Sequence, residues 1–133
     1  MIAVFDTNVL IAAIITEGIC SKILRRARAG EVSLVSCPFI TMELRRTLSK
    51  KFRLSHDELS SAMDPISDAI SQVIEHSLKV KDLCRDADDD NIIACAAAAN
   101  ADYLVTGDSD LLEIKKFQGI QIVTPRDFEA LFA

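Results

Sequence analysis

Four carboxylates stand where they could share a divalent cation. Asp6 ends the apolar run Ile2 to Phe5, and Asp108 follows a second such run, Tyr103 to Thr106, after a single glycine. Asp90 falls in the first turn of the helix expected to carry the alanine-rich stretch Ile92 to Ala99. Glu43 borders the row Ile40, Leu44, Leu48 and Phe52, whose i, i+4 spacing is that of a buried helix stripe. An acid beside an apolar stripe costs desolvation unless a cation meets it, either a metal ion or a neighbouring arginine. Asp6 alone could equally be a helix cap. Four acids brought together would repel, however, unless divalent cations neutralised them. Oxygen ligands without His or Cys select Mg2+ or Mn2+ over zinc. Acids and a metal, with no evident protein nucleophile, point to hydrolysis by activated water, for which phosphodiesters are the natural substrate.

Competing motifs fail on inspection. Asp86, Asp88 and Asp90 match the first three ligands of an EF-hand, but Asn91 stands where its glycine belongs and Ala97 where its glutamate belongs. Asp88 and Asp89 read as helix-capping or supporting acids. No GxxxxGK[ST] or GxGxxG occurs, and no Ser or Cys sits in a nucleophile elbow. His56 and His76 are isolated, and the four cysteines form no CxxC pattern, so they read as reduced and buried.

The elements that must position these acids follow from the pattern. A chain of 133 residues is the size of one domain, spanning 1–133, and half of it is hydrophobic. It has no apolar run of roughly 18 residues, so no membrane span is expected. Asp6 interrupts the first apolar stretch, which argues against a signal peptide and for a cytoplasmic protein. Net charge is −5, yet most cations lie in the first half and the Asp-rich segments come mainly after Lys81. Basic flanks around an acidic focus suit a phosphate backbone with metal ions, and Arg45, Arg46 and Lys50 are candidates for steering RNA.

Strands are expected at Ile2 to Phe5, Val32 to Val35, Tyr103 to Thr106 and Ile120 to Val123, with a weak edge candidate at Ser77 to Val80. Helices are expected between them. One opens at Ser55 and continues its apolar row through Ile66, Ile70 and Ile74, with Pro65 able to kink or divide it. This alternation predicts a three-layer α/β domain with a mainly parallel sheet.

Taken together, VFDTNVLIAA at the start, TMELRRTL around Glu43, DDDNIIACAAAANADYLVTGDSDLL in the second half and IVTPRDF at the end resemble the PIN-domain family. The likeness is greatest to its toxin branch, related to the VapC toxins of toxin–antitoxin systems, and it covers nearly the whole chain. It implies an α/β/α fold with about five strands and a Mg2+- or Mn2+-dependent endoribonuclease. By position in those motifs the catalytic acids are Asp6, Glu43, Asp90 and Asp108, with Asp6, Asp90 and Asp108 as metal ligands. Thr7, Asn8 and Thr106 match supporting polar positions, and Asp110 matches a substitute or second-metal ligand. Ala87 departs from the branch, which often has proline there. The resemblance also implies a cognate antitoxin and a homodimer. A catalytically silent PIN-like module binding RNA or protein, and a nuclease of structured DNA, are the alternatives.

Overall fold

The computed structural model describes residues 1–75 and 87–132. Strand β1 (Ile2–Phe5) lies between two parallel neighbours, β2 (Ser33–Ser36) and β4 (Tyr103–Val105). A strand covered on both faces needs apolar residues at every position, and Ala3, Val4 and Phe5 are fully buried. Beyond these lie β3 (Ile70–Val73) on β2, and β6 (Ile120–Val123) on β4. The two-residue strand β5 (Lys116–Phe117) pairs antiparallel with β6 at the far edge. The described residues thus form one mostly parallel six-stranded sheet in the order β3-β2-β1-β4-β6-β5.

Helices α1 (Thr7–Ile15) and α2 (Ile19–Arg28) join β1 to β2, and α3 (Pro38–Lys50) and α4 (His56–Ala69) join β2 to β3. Along this half the chain builds the sheet outward from β1. It then returns through α5 (Ala87–Ala98) to the other side of β1, and finishes with α6 (Ser109–Ile114) and α7 (Pro125–Ala130). Right-handed crossovers in opposite directions put their helices on opposite faces. Accordingly α1 to α4 pack on one another, while α5 packs on β1 and β4. The reversal between β1 and β4 is the sheet's switch point, where the carboxyl ends of adjacent strands part and leave a crevice.

Local signals set most of the ends. Pro38 opens α3, and Ser55 and Glu58 make a reciprocal capping box on α4. Gly30 at φ +82 and Asn100 at φ +52 adopt the left-handed turn that stops a helix. The expected continuation of α4 through Ile70 and Ile74 is not found: the helix stops at Ala69, and Ile70 pairs with Leu34 as the start of β3. Pro65 lies inside α4 without dividing it. The strand candidate at Ser77 to Val80 lies outside the described residues, as do His76, Cys84 and Asp86. Cys37 and Cys95 are buried beside each other and Cys20 is half-buried.

Candidate active site

Parallel pairing aligns Phe5 with Val105, which brings the next residues, Asp6 and Thr106, level at the ends of β1 and β4. The Asp6 amide donates to the Val105 carbonyl at 2.9 Å, extending the ladder by one bond. Asp6 is also the N-cap of α1, its Oδ1 accepting from the Asn8 amide at 3.3 Å. Both roles of Asp6, helix cap and rim acid, therefore hold at once. Its Oδ2 accepts from the fully buried Thr106 hydroxyl at 2.6 Å, and Thr106 Oγ1 accepts in turn from the Asp108 amide at 3.0 Å. Asp108 then caps α6, with Oδ1 accepting from the Asp110 amide at 2.8 Å. A chain of hydrogen bonds thus fixes Asp6 and Asp108 relative to each other.

Asp6 is only 6% exposed. Burial raises its carboxyl pKa above the ordinary value; the Thr106 and Asn8 hydrogen bonds oppose this, and the nearby Asp108 charge adds to it. A buried carboxylate under these forces gains from a cation.

A cleft of about 450 Å³ opens over these groups, lined by Asp6, Thr7, Asn8, Glu43, Arg46, Thr47, Asp88, Asp89, Ile92 and Asp108. Glu43, Arg46 and Thr47 come from one face of α3, at the i, i+3, i+4 spacing that places side chains together. Of the predicted catalytic acids, Asp6, Glu43 and Asp108 therefore meet, together with the supporting residues Thr7 and Asn8. Asp90 does not line this cleft; Asp88 and Asp89 do. Ligand oxygens of Asp89, Asp108 and Asp110 all lie within 4.8 Å of one another, so Asp110 joins the cluster as well. On α5 the acids at the cleft are thus the two residues before the expected Asp90. Each residue of a helix turns about 100°, so Asp89 shares the cleft-facing side with Ile92, three residues on, and Asp90 is turned off it. Asp90 is nonetheless buried. Of the three basic candidates only Arg46 enters the cleft. Arg45 lines a separate groove with Met63, Ile66 and Ile70, and Lys50 is exposed at the end of α3.

The donor set suits a hard divalent cation. It consists of carboxylates and hydroxyls, and Thr7 Oγ1, which is buried at the cleft, has no hydrogen-bond partner among the described residues.

With this geometry in place, comparison with protein families gives a match to the PIN domain over residues 3–110. The chain belongs to the PIN-domain family. Comparison with curated protein sequences gives no match. Among solved structures, this PIN domain is similar to a chain in the crystal structure of VapBC2 from Rickettsia felis bound to a DNA fragment from their promoter. The TM-score is 0.65 at 17% identity, covering 93% of this chain and 98% of that one. The matched residues contain Asp6, Glu43, Asp88, Asp89 and Asp108, so every acid among the described cleft residues falls within the family match.

Proposed function

We propose that this PIN domain is a Mg2+- or Mn2+-dependent endoribonuclease, acting as the toxin of a toxin–antitoxin pair. The observation that carries the reading is the convergence of Asp6, Glu43, Asp88, Asp89 and Asp108 on one cleft at the switch point of the sheet. Asp6, Asp89 and Asp108 would hold the cation, with Asp110 beside them. A divalent cation there supplies a polarised phosphoryl oxygen and a water of lowered pKa. The protein's own contributions are positional. Thr106 and Asn8 orient the two oxygens of Asp6, and the Thr106 hydroxyl ties that carboxylate to the loop carrying Asp108. Glu43, which lines the cleft from α3, would orient the attacking water and accept its proton at a carboxylate oxygen. Burial raises the pKa of Asp6, and a cation bound there would offset that cost of its charge.

An antitoxin partner is supported by the likeness to a chain from an assembly named VapBC2. A homodimer and a cytoplasmic site of action belong to the same reading. The test is cleavage of a single-stranded RNA by the purified protein. We expect cleavage with Mg2+ or Mn2+, none with a chelator, and none by Asp6→Asn that still folds. Equal rates for Asp6→Asn and parent would refute the assignment.

A further inference from the structure

We infer that Arg46, which shares its cleft with Thr47 and Asn8, is a phosphate-gripping position and gives the RNA backbone a foothold that needs no metal. This rests on the nuclease reading above and adds a residue to it. A cleft lined by five carboxylates repels a phosphodiester, so something cationic must offset that repulsion. Among the described residues that line it, Arg46 is the one Arg or Lys. It lies three residues after Glu43 on α3, the spacing at which acid and base ordinarily pair across a helix face. Yet Arg46 makes no ion pair or hydrogen bond with any described residue. Arg26 is the contrast: its guanidinium is tied to Glu129 and Glu31. Arg46 is exposed at the cleft, and a planar five-donor group left unpaired there is suited to bidentate contact with phosphate oxygens. The Thr47 hydroxyl and the Asn8 carboxamide, lining the same cleft, add neutral donors. Arg45 carries the same charge but opens onto the groove between α3, α4 and β3, so charge on α3 alone does not explain the position.

The test measures binding of a fluorescein-labelled single-stranded RNA in chelator across a salt series, with cleavage in Mn2+ as a parallel arm. For Arg46→Ala the slope of log K against log salt should fall by about 0.7, the share of one phosphate contact on a single strand. Arg46→Lys should keep the slope and bind less tightly. Lys116→Ala, which removes an equal charge from the far edge strand, should match the parent. Unchanged slope and affinity in Arg46→Ala would overturn the proposal. So would an equal slope change in Arg45→Ala, or a lowered melting temperature in Arg46→Ala with no slope change. A parent that binds RNA with the predicted Arg46 dependence yet never cleaves it would instead sink the nuclease reading and leave the grip standing.

Discussion

Replacing Thr106 by valine removes one hydroxyl with almost no change of shape, at a fully buried position. That hydroxyl donates to Asp6 at 2.6 Å and accepts from the Asp108 amide at 3.0 Å. A hydrogen bond to a charged group is worth about 1.5–3 kcal/mol, and the Asp108 amide also loses its acceptor. For 133 residues the unfolding entropy is about 0.28 kcal/mol/K, so the melting temperature should drop by about 5–11 °C. The loss has a pH signature. Thr106 favours the ionised form of Asp6, so removing it makes the folded state bind that proton more readily. The gap between parent and variant should therefore be widest near pH 7.5 and narrow as the pH falls through the folded-state pKa of Asp6. Calorimetry in chelator at pH 7.5 and pH 4.5 measures both. A drop under about 2 °C, or one equal at the two pH values, would refute the role given to Thr106.

Asp6→Asn should raise the melting temperature of the metal-free protein at pH 7.5. The folded-state pKa of Asp6 lies above its ordinary value, so the folded chain holds that proton more tightly than the unfolded one, and stability falls as pH rises through that window. A fall in melting temperature would contradict this. Mn2+ at about 100 times its Kd should stabilise the parent by about 2.7 kcal/mol, close to 10 °C, and Asp6→Asn far less. Asp89→Asn should weaken Mn2+ binding by about tenfold or more, while Asp90→Asn changes it by less than about threefold; isothermal titration distinguishes them. Glu129→Ala should lower the melting temperature at neutral pH, because hydrogen bonding to Arg26 holds that carboxyl down at about 2. That contribution is present above the ordinary glutamate pKa and is lost as the pH falls toward about 2, so the two melting curves should converge in acid.

Much of this architecture was legible because its signals are local. Apolar runs that stop at an acid or polar residue marked β1 and β4, and with them Asp6 and Asp108. Register then did what spacing could not show, setting Thr106 level with Asp6. The phase of α5 was not legible for a physical reason. Ile92, Ile93, Ala94, Cys95 and Ala96 are all buried, so the helix has no polar stripe from which to decide whether Asp89 or Asp90 faces the cleft. Ile66, Ile70 and Ile74 mimic a helix row, but the edge of β2 offered Ile70 a ladder partner and the chain left the helix there. Arg45 and Arg46 are adjacent and chemically identical, and only the packing of α3 against its neighbours assigns them to different surfaces.

The central claim is that separated acids form one cation-holding pocket. Anomalous scattering from a crystal grown with Mn2+ tests it most directly. A peak is expected in the cleft bounded by Asp6, Asp89 and Asp108, at ligand distances of about 2.1 Å. A saturated crystal with no peak there, or with Mn2+ held by Asp90 away from Asp6 and Asp108, would contradict it.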